Sequence, residues 1–269
     1  MARLCSADVI DRCSAENRAA LVAYLPVGFP TFEGSLDAVR CLVDAGVDMI
    51  EFGIPYTDPV MDGPVIQEAA DRALAQGTRP RDVMRAIESL SDLDAALLVM
   101  SYYNPILAYG VDAFARDLAS AGGAGVITPD LTPDSGAEWI AASSAHEVDR
   151  VFLVAPSSPR ERLEYVVRNT EGFVYAASTM GVTGLRSSVG AAAEDLVART
   201  RAAGAPRVCV GLGVSNGEQA ADIGRFADGV IVGSAFVRAL LGAESPAAGR
   251  AALTDLVRDM RRGIDGARA

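Results

Sequence analysis

Eight short apolar runs, each broken by glycine or proline near its C-terminal end, constrain the fold of this 269-residue chain more than any other feature. They cover residues 20–25, 48–52, 96–100, 125–128, 150–154, 172–176, 207–210 and 229–232. Each is apolar on both faces, as parallel strands covered inside and out must be. The stretches between them are amphipathic at helical spacing. In 32–45, Leu36, Val39, Leu42 and Val43 share one face, and Gly46 is a helix stop. This alternation predicts repeated βα units, and eight of them close an α/β (β/α)8 TIM barrel, a fold of about 250 residues. One domain over 1–269 is expected, with 1–19 as an N-terminal capping helix, 20–241 as barrel core and 242–269 as a C-terminal helix. Within the first part, 6–18 reads as a helix under the barrel floor with Ser6 as its N-cap. Predicted helices at 64–76 and 80–90 place an insertion in the second unit.

Composition narrows the function. The net charge of −11 repels nucleic acid and anionic membranes, although backbone amides at a helix start still hold a single phosphate. Half of the residues are hydrophobic, yet no run approaches the roughly 18 to 20 apolar residues of a membrane span. The opening residues lack the pattern of a secretory signal, so a cytoplasmic location is expected. Cys5, Cys13, Cys41 and Cys209 show no C-x-x-C spacing and read as small apolar fillers, and His146, the only histidine, has no cluster of metal ligands around it in sequence. All 24 basic residues are arginine. Without lysine there is neither an internal Schiff base nor a lysine-tethered pyridoxal phosphate, so carbon–carbon bond chemistry has to run on carboxylic acids and hydrogen bonds.

The segment 49–64, M-I-E-F-G-I-P-Y-T-D-P-V-M-D-G-P, supplies such acids. Strand alternation puts Met49, Glu51 and Gly53 on one side, with Glu51 near the strand end among apolar Ile50, Phe52 and Ile54. A strand-end acid of this kind is either an arginine's partner or a proton carrier whose pKa burial raises toward neutrality. Asp62 in P-V-M-D-G-P is either a turn aspartate or a second site acid, and Asp58 in T-D-P is a cap or a partner contact. A second constellation comes late in the chain. M-G-V-T-G at 180–184, G-L-G-V-S-N-G at 211–217 and V-G-S-A at 232–235 follow the last three strands, and a helix begins near Ser234. Small residues at such points let backbone N–H groups approach an anion, and phosphate is the natural guest.

In order and spacing, E-F-G-I-P-Y-T-D-P-V-M-D-G-P-V-I-Q, S-Y-Y-N-P-I, P-D-L-T-P-D, G-V-T-G, G-L-G-V-S and V-G-S-A resemble the tryptophan synthase α subunit family, from residue 20 to about 241. The resemblance implies a lyase of tryptophan biosynthesis that cleaves indole-3-glycerol phosphate to indole and glyceraldehyde 3-phosphate by a retro-aldol reaction. It implies that Glu51 is the general acid and base, that Asp62 accepts the indole N–H, and that Tyr175 is the active-site tyrosine. Thr183 falls on the family's mobile-loop threonine; Gly184, Gly213, Gly233 and Ser234 fall on its phosphate cradle. Tyr24, Met100, Tyr102, Ile127, Leu153 and Leu212 fall on its indole slot, where ordinary barrel packing is the competing reading. No cofactor is implied for this chain. The implied partner is a β subunit carrying pyridoxal phosphate in an α2β2 complex, facing Asp58, Pro59, Asn104 and Pro105. Two alternatives remain: a stand-alone indole-releasing lyase, and a non-catalytic activator of a β subunit. The chain departs from many relatives at Phe29, where they carry aspartate before the proline, and at Thr179, where they carry arginine.

Overall fold

The computed structural model describes residues 3–177, 186–211 and 213–268. Nine parallel strands form one sheet: β1 (Ala20–Pro26), β2 (Met49–Gly53), β3 (Ala96–Met100), β4 (Gly125–Ile127), β5 (Asp149–Val151), β6 (Leu153–Val154), β7 (Val174–Ala177), β8 (Val208–Gly211) and β9 (Gly229–Val232). Their order, β5-β4-β3-β2-β1-β9-β8-β7-β6, ends on two segments separated only by Phe152. The Phe152 carbonyl accepts from Tyr175 N (3.1 Å), and the Val151 carbonyl accepts from Thr128 N (3.4 Å). The fifth expected run, 150–154, therefore hydrogen-bonds on both sides and brings the two ends of the sheet together. The result is the expected barrel, with a break where the run turns from one neighbour to the other.

Twelve helices are described. They are α1 (Ser6–Ala15), α2 (Phe32–Ala45), α3 (Pro64–Ala75), α4 (Pro80–Ser89), α5 (Tyr103–Tyr109), α6 (Val111–Ala121), α7 (Ala137–Ala145), α8 (Arg160–Asn169), α9 (Arg186–Ala202), α10 (Gly217–Gly224), α11 (Ser234–Leu241) and α12 (Pro246–Gly266). The α3–α4 insertion stands between β2 and β3, as expected. One apolar cluster fills the space between strands and helices; a smaller one fills the barrel interior, where Met49, Leu98, Ile127 and Cys209 meet Val9, Ile10 and Cys13 of α1. Helix α1 thus closes the floor, and only the opposite rim, where the strands end, is left for a site.

Three expectations need correction. Cys5, not Ser6, is the N-cap of α1: its Sγ accepts from Asp8 N at 3.4 Å, while Ser6 N and Oγ donate to Asp149 at 3.1 and 2.5 Å. A tertiary carboxylate has drawn the serine away from capping. That helix also ends at Ala15 rather than at residue 18, because Arg18 turns inward to Asp48. Finally, only Cys13 and Cys209 are buried fillers; Cys5 caps, and the half-buried Cys41 lies 3.3 Å from the Arg250 carbonyl and 3.2 Å from Thr254 Oγ1. His146 pairs with Asp112 at 2.9 Å.

Candidate active site

Glu51 lies on the interior face of β2, paired in register with Tyr24 of β1 and Leu98 of β3. It is 0% exposed, and neither carboxyl oxygen has a hydrogen-bond partner among the described residues. No described arginine pairs with it, so of the two readings of this strand-end acid the ion pair is not the one seen among the described residues. A buried carboxylate without a donor loses hydration and gets nothing back, so burial pushes its pKa up from 4.5 to about 8. At neutral pH this side chain keeps its proton and remains able to give it up.

The loop after β2 brings the second acid back to the same rim. Asp62 is half-buried, and Tyr102, just beyond β3, holds its loop in place: the Tyr102 hydroxyl accepts from Met61 N at 2.8 Å. Burial raises the Asp62 pKa, and a hydrogen bond from Tyr102 pulls it partly back. Tyr102 itself is pushed up to about 12, first by burial, so it stays a neutral donor. The role of Tyr102 as a support for Asp62, beyond lining a slot, escaped sequence reasoning because it depends on two loops meeting.

Two more phenols complete the wall. Tyr24 and Tyr175 point into the barrel from β1 and β7, and burial holds both pKa values well above 10. The largest electrostatic influence on Tyr24 is Asp62; on Tyr175 it is Glu51. Each phenol occupies room left by a glycine. A Cβ at Gly53 would lie 2.3 Å from the Tyr24 hydroxyl, and one at Gly211 would lie 2.2 Å from that of Tyr175. Of the expected slot residues, Met100 and Leu153 are half-buried and Ile127 is fully buried, and all three belong to the interior cluster that also packs against Tyr175.

At the anion end, Gly233 caps α11 and Ser234 is its first residue, while Gly213 has φ +65° in the loop after β8. A left-handed conformation there favours glycine even though a Cβ would meet nothing within 4 Å. Thr183, Gly184, Leu212 and Thr179 lie outside the described residues. Phe29 is 1% exposed, a core residue in the first loop.

On the outer rim, Asp58 and Asn104 are exposed and Pro59 is half-buried. Asn104 Nδ2 donates to Tyr56 Oη at 3.0 Å, tying α5 to the loop after β2. Pro105, expected on this face, is instead on the buried side of α5; the exposed apolar residues are Val60 (82%) and Leu107 (48%). Among the described residues they are the only large hydrophobics so exposed, and they flank the same rim. No group of described His, Cys, Asp or Glu residues suits a metal ion, and no described helix is long and apolar enough to cross a membrane.

The sequence profile of the tryptophan synthase alpha chain matches residues 10–265. This chain belongs to the tryptophan synthase alpha chain family. The alpha chain of Mycobacterium marinum is 59% identical over 232 residues, 86% of each chain. That of Bifidobacterium longum is 52% identical over 268 residues, 98% of this chain and 92% of the relative. Tryptophan synthase from Mycobacterium tuberculosis superposes with a TM-score of 0.90 at 51% identity, over 98% of both chains. Likeness of this extent makes the chain a lyase of tryptophan biosynthesis; it fits the first expectation above and not the stand-alone or non-catalytic alternatives.

Proposed function

We propose that Glu51 and Asp62 carry the cleavage of indole-3-glycerol phosphate in this alpha chain. The observation that supports this most is the orphaned carboxyl of Glu51, sealed from water with its pKa near 8, on the rim to which Asp62 also returns. Protonated at neutral pH, Glu51 gives its proton to ring carbon C3. The bond from C3 to the side chain then breaks, its electron pair returns to the ring, and the adjacent hydroxyl becomes the aldehyde. The proton released by that hydroxyl restores Glu51. Asp62 accepts the indole N–H and offsets positive charge that develops on the ring, a gain realised mainly in the transition state. Tyr175 walls the site, and the amide ends at Gly213, Gly233 and Ser234 hold the phosphate together with the cradle glycine Gly184. Tyr24, Met100, Tyr102, Ile127, Leu153 and Leu212 line the aromatic slot, with Thr183 as a further substrate-binding residue.

The same reading gives the chain a β subunit as partner, with pyridoxal phosphate on that partner, and a cytoplasmic location. Asp58, Pro59, Val60, Asn104 and Leu107 form the docking rim. Indole release from indole-3-glycerol phosphate, measured with and without the β subunit, tests the assignment. Glu51→Gln should lower the cleavage rate by about 10²- to 10⁴-fold, the usual share of a general acid and base, while phosphate affinity is retained. Asp62→Asn should also impair cleavage with little change in phosphate affinity. A Glu51→Gln enzyme that cleaves at the parent rate would remove Glu51 from the mechanism.

A further inference from the structure

Tyr24 is bracketed by glycines at both ends of its side chain. At its base, a Cβ on Gly233, the cap of α11, would sit 3.4 Å from ring atom Cδ1 and 3.5 Å from the Tyr24 Cβ. At its tip the hydroxyl fills the space above Gly53, two residues beyond Glu51 on β2, where a Cβ would come within 2.3 Å. The ring therefore runs from the phosphate end of the site to the carboxyl end, and register pairs Tyr24 directly with Glu51. No described residue hydrogen-bonds the Tyr24 hydroxyl, although Met61 N does bond that of Tyr102. The half-buried Tyr24 thus brings a hydroxyl donor with no described hydrogen-bond partner to the interior that also holds the two oxygens of Glu51, which have no partner among the described residues. Buried carboxyl oxygens in that state are costly unless a ligand satisfies them, and the Tyr24 donor is free to meet the same ligand.

Resting on the site reading above, we infer that Tyr24, beyond the ring it contributes to the slot wall, acts through its hydroxyl, which donates to the substrate oxygen that becomes the aldehyde. A three-carbon phosphate ester laid from α11 toward Glu51 runs alongside this ring, and its polar atoms between the two ends are hydroxyl oxygens. As the carbon–carbon bond breaks, its electron pair goes to the indole ring, the O–H pair becomes the carbonyl π bond, and the proton passes to Glu51. Tyr24 keeps its own proton throughout. Its donated hydrogen bond strengthens as that oxygen gains negative character, so it acts on the rate more than on binding.

Tyr24→Phe keeps the ring and removes only the donor. With the β subunit present, the single-turnover cleavage rate should fall at least fivefold, while the half-saturating substrate concentration and the affinity for inorganic phosphate stay within about twofold. A fall of less than fivefold, or a loss confined to half-saturation, overturns the inference. Glu51→Gln measured in parallel separates the two levels. If it abolishes cleavage while Tyr24→Phe does not, Tyr24 alone is wrong; if Glu51→Gln cleaves at the parent rate, the underlying site reading fails and Tyr24 fails with it.

Discussion

A single carboxyl illustrates how a folded chain stores chemical potential. Glu51 titrates near 8 inside the barrel and near 4.5 outside it, so the native state binds its proton more tightly than the unfolded chain does. The resulting contribution to stability is complete below pH 4.5 and is lost as pH rises through 8. Glu51→Gln cannot ionise, so its stability relative to the parent should climb between pH 5 and pH 8, by up to about 5 kcal/mol. Urea unfolding across that range reads the difference directly, and a pH-independent offset would show that the carboxyl is not held dry. Alternation in β2 already put Glu51 on the inward side, so its burial was legible in the sequence. The lack of an arginine partner among the described residues was not, because whether one of 24 arginines reaches the strand depends on the packing of other elements.

Individual elements were legible to the extent that their signals are local. Helix α2 runs over the predicted 32–45: Thr31 Oγ1 accepts from Gly34 N at 3.0 Å at one end, and Gly46 takes φ +117° at the other. Thr31→Ala removes that cap and should cost ~1 kcal/mol in chemical denaturation with the fold intact. An unchanged midpoint would mean that tertiary packing alone sets the start of the helix. Helix α1 failed the same reasoning. Ser6 has the right chemistry for a cap, but Asp149, 143 residues away, binds its hydroxyl and leaves Cys5 to do the capping. The 150–154 run likewise read as one strand, and its break at Phe152 arises where the segment changes neighbour to close the ring. Local propensity does not register either event.

For the whole molecule, closure of the ring decides what meets what. Asp48 at the start of β2 accepts from Arg18 at 2.9 Å through both oxygens, from Leu21 N at 2.8 Å and from Arg261 of α12 at 3.2 Å, locking the two chain ends beneath the barrel. The opposite rim carries Val60 and Leu107, held together by the Asn104–Tyr56 hydrogen bond. Apolar side chains this exposed mark a docking surface. Val60→Asp and Leu107→Asp should each weaken binding of the β subunit at least tenfold in titration calorimetry, without shifting the thermal unfolding of the isolated chain. Unchanged affinity in both would move the interface elsewhere. Pro105, named from motif position alone, shows the limit of that approach, since α5 turns it inward and presents Leu107 instead.

By itself, the sequence determined the eight-unit barrel, the inward face of Glu51, the return of an acidic loop and the glycines after the last strands, because periodicity and backbone freedom are written residue by residue. Tertiary structure alone decided that Glu51 has no counter-ion among the described residues, that Tyr102 steadies the Asp62 loop, and that two phenols lie in the space of Gly53 and Gly211. Each of those facts is a distance between segments far apart in the chain, and such distances exist only once the barrel has closed.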